Sequence, residues 1–336
     1  MTDAPAKNLY DLLEVSPRAR PEVITAAYKS LMNIYHPDKP TGDARVAKSL
    51  NQAKDILLNK DKRQEYDVQR ENLVGTTLGE YTLLGLIAEG GFGKTYKAKH
   101  TLLNELVCIK HAHYVSPQDE EILLNEAKAI WDLRHFSIPA VRNILKMDDG
   151  SLALVMSYVP GPTLEQIIKK VDRLEPEHVA WITERSLNAL KYLHYNGVVH
   201  GDVKPQNIII QPENHTIVLV DYGLSVIRPS PTKSTSPGFT PYFAAPEQIH
   251  GKTLLPETDF YGLGMTMIYA LGGDIEKKLV PKNVPDSLCS FIKSLIVYDV
   301  LKRPNWEKED LADTLKDIRM KEFGRLRSGM KPIPGL

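Results

Sequence analysis

Apolar positions recur at helical spacing near the start of the chain: Ile24, Tyr28, Leu31, Met32 and Tyr35 fall on one face. Val46, Leu50, Ala53 and Leu57 repeat the pattern. Two such stripes predict two antiparallel helices buried against each other. The loop between them, His36-Pro37-Asp38-Lys39-Pro40-Thr41-Gly42, should stand exposed at the tip. Ahead of them Leu9, Leu12 and Leu13 make a short amphipathic turn, broken by Ser16-Pro17, and Pro21 sits where a first helical residue belongs. The prediction for residues 6–67 is an all-α unit, an antiparallel helix hairpin with short flanking helices. Residues 68–80 are polar, with Gly75-Thr76-Thr77 near the middle, and are expected to be a linker.

From Tyr81 the pattern changes. Leu83 to Ala98 is strand, glycine turn, strand; Leu106-Val107-Cys108-Ile109-Lys110 is a β-like run ending in a lysine. A helix opening at Pro117-Gln118-Asp119 puts Leu123, Ala127, Ile130 and Trp131 on one face, with Glu126 beside them. Leu152 to Gly161 is a buried strand running into a turn, and Pro176 to Asn196 a long helix with Val179, Ile182, Leu190 and Leu193 on one face. Ile208-Ile209-Ile210 and Val218-Leu219-Val220 flank Gln211-Pro212-Glu213-Asn214-His215 and predict a β-hairpin. Leu224 to Gly238 is rich in Ser, Thr and Pro, a surface loop by composition.

A chain of 336 residues has two domains as its natural prior. Its net charge is zero, so nothing global points to nucleic acid or a membrane. Two cysteines, Cys108 and Cys289, make no disulfide framework and suit a reducing compartment. There is no signal-like start, no apolar run of spanning length and no lipidation box, so a soluble cytoplasmic protein is expected.

The chemistry gathers at the hairpin. Asp202 and Asn207 precede its first strand, Asp221 ends its second, and Lys204 lies between the first two. Hairpin geometry brings these ends together, so two carboxylates, an amide and a lysine converge at one edge. Oxygen ligands for Mg²⁺ and a cation near a transferring phosphoryl group are what such a set offers. Taken alone, either triplet is equally well an idle acidic turn, Lys110 a snorkelling lysine and Glu126 a solvated glutamate.

The stretch His200-Gly201-Asp202-Val203-Lys204-Pro205-Gln206-Asn207, followed by Asp221-Tyr222-Gly223, resembles the catalytic loop and metal motif of the eukaryotic-type protein kinases. The resemblance implies a two-lobed α+β protein-kinase fold over residues 81–320, with residues 321–336 as a loosely ordered C-terminal tail. It makes Asp202 the catalytic carboxylate and Lys204 its serine/threonine-type companion, with Asn207 and Asp221 as ligands of Mg²⁺. Lys110 becomes the strand lysine that holds the ATP phosphates, paired with Glu126. Ala88, Gly90, Gly91, Phe92, Gly93 and Thr95 fall in the phosphate-covering glycine loop, with Ala88 in place of its first glycine. The resemblance also implies Cys108 against the adenine, where it could equally be inert core, Met156 at the gate of the hinge, and Tyr158 and Val159 with hinge backbone facing adenine. Thr240 to Glu247 matches the substrate-side anchor, Asp259 the buried aspartate helix, and Arg303 the partner of Glu247. The segment between Leu271 and Arg303 is shorter than in most members, where it carries a docking helix. Many members have arginine before the catalytic aspartate to pair with a phosphate on the activation loop. Gly201 cannot, so the loop carrying Ser225, Ser230, Thr232, Ser234, Thr235 and Ser236 is expected to need no phosphate.

A second resemblance covers the helical unit. Asn8-Leu9-Tyr10-Asp11-Leu12-Leu13, Ala27-Tyr28-Lys29, His36-Pro37-Asp38 and Lys62-Arg63-Gln64-Glu65-Tyr66-Asp67 are similar to a DnaJ-type J-domain. It implies a DnaK-type chaperone as partner, contacted through Lys29, His36, Pro37 and Asp38. Thr25, Ala26 and Ala27 stand where that family shows a basic face, so long-range attraction to an acidic chaperone surface should be weaker.

Two functions of different class compete. One is an active serine/threonine kinase acting on protein hydroxyls. The other is a chaperone adaptor or scaffold whose pseudokinase-like domain only binds nucleotide. A scaffold has no physical need for five converging polar groups (Lys110, Glu126, Asp202, Asn207, Asp221), which favours the enzyme. A small-molecule kinase is disfavoured by Lys204 and the Thr240-to-Glu247 anchor.

Overall fold

A computed structural model describes residues 9–16, 19–39, 44–71, 74–90, 93–112, 117–147, 150–229, 238–325 and 332–334. The chain divides into two compact units, Met1–Val74 and Gly75–Leu336.

The first unit is helical: α1 (Leu9–Leu12), α2 (Pro21–Tyr35), α3 (Ala44–Leu57) and α4 (Lys60–Glu71). The stripes of α2 and α3 meet in a core of Tyr10, Leu13, Ile24, Leu50, Ala53 and Leu57. Tyr28, Leu31, Met32, Tyr35 and Val46 pack on its margin. A polar lock closes the ends. Tyr10 Oη donates to Asp67 Oδ1 (2.7 Å), Arg63 Nε donates to Tyr10 Oη (3.0 Å), and Leu9 N donates to Tyr66 Oη (2.8 Å). Burial, then the Asp67 carboxylate, push the Tyr10 phenol up to about 12, so it stays a donor. The Arg63, Tyr66 and Asp67 side chains thus tie α4 to α1.

The second unit opens with a six-stranded antiparallel sheet in the order β1-β2-β3-β4-β6-β5. Its strands are β1 (Thr77–Leu78), β2 (Tyr81–Gly90), β3 (Gly93–His100), β4 (Leu106–Ala112), β5 (Val141–Lys146) and β6 (Leu152–Ser157). Helix α5 (Pro117–Ile130) interrupts the strands and packs on the sheet through Leu123, Ala127 and Ile130. Of residues 68–80, those to Glu71 continue α4 and Thr77–Leu78 pairs with β2.

The rest is mostly helix: α6 (Leu164–Val171), α7 (Pro176–Tyr195), α8 (Pro246–Ile249), α9 (Pro256–Ala270), α10 (Asp286–Leu295) and α11 (Leu311–Phe323). Two small antiparallel ladders join them: β7 (Val198–Val199) with β10 (Val226–Ile227), and β8 (Ile208–Gln211) with β9 (Thr216–Leu219). Helix α7 is buried along most of its length, and α9 is buried on nearly all sides from Thr258 to Ala270. Residues 271–285, between α9 and α10, hold an isolated bridge between Asp274 and Leu279 and no helix. At the C-terminal end Lys321 to Phe323 complete α11, Arg325 pairs with Glu177 (both contacts 2.7 Å), and Ile333 is buried. Nothing in that polar stretch signals these anchors, because their partners lie far back in the chain. Among the described residues no helix is long and apolar enough to cross a membrane.

Candidate active site

The hairpin β8–β9 forms as its β-branched runs require, with Ile208 opposite Leu219 and Gln211 opposite Thr216. Beyond the last pair Val220 N donates to Asn207 O (2.9 Å), so the ends that carry Asn207 and Asp221 are side by side. A 3-10 turn, Pro205–Asn207, brings the Asn207 side chain back on Asp202. Its Nδ2 donates to the Asp202 carbonyl (2.9 Å) and to Oδ2 (3.1 Å). Both hydrogens of the amide are spent there, which turns Oδ1 outward as the acceptor.

Asp202 is buried and held on every side. Lys204 Nζ lies 2.7 Å from its Oδ2, and Thr240 Oγ1 donates to its Oδ1 (2.7 Å). Lys204 also donates to Thr240 (2.7 Å), closing a triangle. The backbone beneath is fixed by Asp259, whose carboxylate accepts from His200 N and Gly201 N, both at 2.8 Å. His200 has its ring hydrogen on Nε2, toward Val220 O (3.2 Å), while Nδ1 accepts from Asp202 N (3.2 Å). Gly201 has φ +75°, and its carbonyl accepts from Gln248 Nε2 (2.7 Å).

Lys110 is the second centre. Strand β4 aligns it with Thr95 on β3 and Leu154 on β6, and its Nζ reaches Glu126 Oε2 on α5 and Asp221 Oδ1, each at 2.6 Å. Glu126 also accepts from Tyr222 N (3.2 Å), so one carboxylate ties α5 to the turn after β9. Burial opposes the Lys110 ammonium, but Asp221 and Glu126 outweigh it and raise its pKa well above the ordinary lysine range. Burial likewise opposes the Asp221 carboxylate, yet Lys110 wins and lowers it to about 2. For Glu126 burial prevails over Lys110, and its carboxyl is raised. One ammonium shared by two carboxylates leaves surplus negative charge, and the deeper Glu126 takes the upward shift. Asp221 adopts φ +67°, a left-handed conformation that Asp tolerates better than most residues.

The strands place the remaining predicted residues around these centres. Ala88 pairs with Thr95 and Gly90 with Gly93 across the glycine turn; Gly91 and Phe92 lie outside the described residues. Cys108 pairs with Met156, and Tyr158 and Val159 follow β6, half-buried. Burial pushes the Cys108 thiol up to about 12. Lys97 Nζ lies over the Tyr158 ring, 4.8 Å from its centre. In the activation segment Ser225 is buried, its hydroxyl donating to His200 O (3.2 Å) and its carbonyl accepting from Asn125 Nδ2 (2.8 Å). Ser230, Thr232, Ser234, Thr235 and Ser236 lie outside the described residues. In the other unit Lys29, His36, Pro37 and Asp38 are all exposed, and Asp38 N donates to His36 Nδ1 (3.3 Å).

Two contributors went unread in the sequence, His194 and Trp306, and a third, Thr240, was read only as the start of the substrate-side anchor. The Thr240 hydroxyl completes the triangle on Asp202. His194 Nε2 lies 2.8 Å from Asp259 Oδ2, and Trp306 Nε1 donates to His194 Nδ1 (2.8 Å). None lies near its partner in the chain, so no local pattern announces them.

The donor set fits a hard divalent cation. Asp221 and Asn207, on adjacent hairpin ends, offer carboxylate and amide oxygens, the donors such a cation takes. Among the described residues no group of three or more His, Cys, Asp or Glu could hold a metal by itself.

Comparison with known proteins agrees with this geometry. Residues 81–311 match the model of the protein kinase domain, and residues 8–67 that of the DnaJ domain. Serine/threonine-protein kinase pkn3 of Myxococcus xanthus is 32% identical over 216 residues, 60% of this chain and 40% of that protein. Serine/threonine-protein kinase D of Synechocystis is 31% identical over 212 residues, 58% of this chain and 41% of that protein. For serine/threonine-protein kinase PrkC of Bacillus subtilis the identity is 30% over 209 residues, 60% of this chain and 32% of that protein. The chain spans about two fifths or less of the length of the curated relatives it matches. The match over 81–311, two thirds of the chain and the part that holds Lys110, Glu126, Asp202, Asn207 and Asp221, makes this chain a member of the protein kinase family.

Proposed function

We propose that the chain is an ATP-dependent serine/threonine protein kinase that transfers the γ-phosphoryl group to protein hydroxyls. The observation that carries this reading is the pair of contact sets, Lys110 shared by Glu126 and Asp221, and the closed triangle Asp202–Lys204–Thr240. Asp202, fixed on both oxygens, orients the incoming hydroxyl and accepts its proton as the bond to phosphorus forms. Lys204 offers its charge to the transferring group. Lys110, positioned by Glu126, holds the ATP phosphates under the Ala88–Thr95 turn, while Cys108, Met156, Tyr158 and Val159 border the adenine. Asn207 Oδ1 and Asp221 would hold Mg²⁺, which supplies neutralisation of the phosphate oxygens when bound. Positioning and electrostatics do most of the work, since the protein forms no bond to phosphorus.

The DnaJ-type unit completes the proposal. Its exposed His36-Pro37-Asp38 tip, with Lys29, engages a DnaK-type chaperone in the cytoplasm and stimulates its ATP hydrolysis. The test is transfer from radiolabelled ATP by the full chain, with phosphoamino-acid analysis, with and without a DnaK-type chaperone. Phosphoserine or phosphothreonine is expected, lost by orders of magnitude in Asp202→Asn while nucleotide binding persists. Autophosphorylation retained in Asp202→Asn would sink the enzyme reading. His36→Gln should abolish chaperone stimulation and leave transfer unchanged. If the wild-type chain stimulates no chaperone at any concentration, the second half of the proposal fails.

A further inference from the structure

The aspartate under the catalytic loop is itself held from behind. Asp259 is 1% exposed, and its Oδ2 accepts from two donors at 2.8 Å, His200 N and His194 Nε2. His194 sits on the last turn of α7, its side chain 2% exposed. Its other nitrogen accepts from the indole N–H of Trp306, also at 2.8 Å. Trp306 comes from the turn after Arg303, 112 residues further along the chain. Phe260, next to Asp259, stands edge-on to both rings, 5.0 Å from Trp306 and 5.6 Å from His194.

The indole settles the tautomer. An indole nitrogen only donates, so His194 Nδ1 must be bare and Nε2 must carry the hydrogen it gives to Asp259. Without that donor, Nδ1 would be a buried acceptor with no partner. Satisfying it would take the ring away from Asp259 Oδ2, the oxygen that it shares with His200 N. The chain Trp306–His194–Asp259 therefore ends on the amides of His200 and Gly201, the two residues before Asp202.

We propose that Trp306 and His194 are positioning residues for phosphoryl transfer: the indole N–H fixes the His194 tautomer so that Asp259 holds the catalytic loop, and thereby Asp202, in register. The inference rests on the kinase reading above for its effect on rate, but not for its effect on the loop. A tryptophan serving only as packing would act through its rings and Phe260. The N–H alone should then be dispensable.

Trp306→Phe in the full chain removes the N–H and keeps a ring against Phe260. Hydrogen exchange, followed by mass spectrometry, should quicken about fivefold at the His200 and Gly201 amides, the equivalent of one net hydrogen bond, and stay unchanged in α9 beyond Gly262. With Mg-ATP and a protein acceptor, kcat should fall by a similar factor of about five while KM for ATP holds. His194→Gln keeps an N–H for Asp259 and has no second ring nitrogen to satisfy. Adding Trp306→Phe to His194→Gln should therefore change neither exchange nor kcat further, a coupling that two packing losses would not show. Unchanged exchange at His200 and Gly201 in Trp306→Phe overturns the proposal. So does loosened exchange with an unaltered kcat, or strict additivity in the double variant. A wild-type chain that transfers no phosphoryl group defeats the kinase reading instead, and the exchange arm still decides whether the strut exists.

Discussion

At the scale of single residues, Gly201 stands where the kinase resemblance leads one to expect arginine. Its φ is +75°, and a Cβ there would lie 2.6 Å from the Leu224 carbonyl oxygen and 3.4 Å from Leu254 Cδ1. Val199, Val226 and Leu254 form a small buried apolar cluster beside it, a poor setting for a guanidinium or a phosphate. Gly201→Ala should destabilise the fold by about 2 kcal/mol, from the left-handed backbone and the contact with a main-chain oxygen. Gly201→Arg should do so at least as much and gain no activity from loop phosphorylation; denaturant midpoints and phosphoryl transfer check both. A stable Gly201→Arg enzyme whose rate rises on phosphorylation would show that the loop can still use a clamp. Cys108 gives a second expectation. With its thiol at about 12, thiolate rises tenfold per pH unit through the range 7 to 10. Iodoacetamide labelling of Cys108 should follow that slope and at pH 8 run about a thousandfold slower than for a free thiol; a plateau below pH 10 would contradict the burial argument. The convergence of Asp202, Asn207 and Asp221 was legible because one local hairpin brings them together. Trp306 and His194 were not, since their meaning depends on a contact across 112 residues.

At the scale of elements, periodicity carried far. The stripe on α3 is the buried set Leu50, Ala53 and Leu57, and the long helix from Pro176 ends within a residue of its expected limit. The two-residue strands β1, β7 and β10 were invisible, because a ladder that short has no period to read and exists only where a partner strand waits. The four-residue α8 illustrates the same point with more at stake. It holds Glu247 against Arg303, with Nη1 2.6 Å from Oε1 and Nη2 2.9 Å from Oε2. The guanidinium also donates to the carbonyls of Val297, Glu257 and Tyr298, and it faces the Tyr261 ring at 4.9 Å. Arg303→Met strands the Glu247 carboxylate in a buried site and loses those three carbonyls as well. It should cost about 3–5 kcal/mol, measured by denaturant unfolding. Glu247→Gln leaves the carbonyl contacts in place and should cost less. A cost for Glu247→Gln equal to or above that of Arg303→Met would mean that the carboxylate, and not the carbonyl cage, anchors the arginine.

At the scale of the whole molecule, the two units have separate hydrophobic cores, one built on Tyr10, Leu13, Ile24, Leu50, Ala53 and Leu57, the other on α7, α9 and the sheet. Their sizes differ as much as their content. A helical unit of this length buries a small share of its chain's surface and is marginal on its own, whereas the larger unit buries far more. Thermal unfolding of the full chain should therefore show two transitions, the lower one belonging to Met1–Val74. Ile24 is wholly buried in the small core. Ile24→Ala should cost about 2–5 kcal/mol there, enough to unfold that unit at moderate temperature. The upper transition should not move, and phosphoryl transfer by residues 75–336 should match the Ile24→Ala chain, because the contacts described for Lys110 and Asp202 lie within Gly75–Leu336. His36 is different in kind: its side chain is 46% exposed, so His36→Gln should leave both transitions in place. Calorimetry of the four chains (wild type, Ile24→Ala, His36→Gln and residues 75–336), read beside their transfer rates, decides the matter. A single cooperative transition that Ile24→Ala shifts as a whole, with loss of transfer, would show that the helical unit is a stabilising part of the kinase and not an independent module.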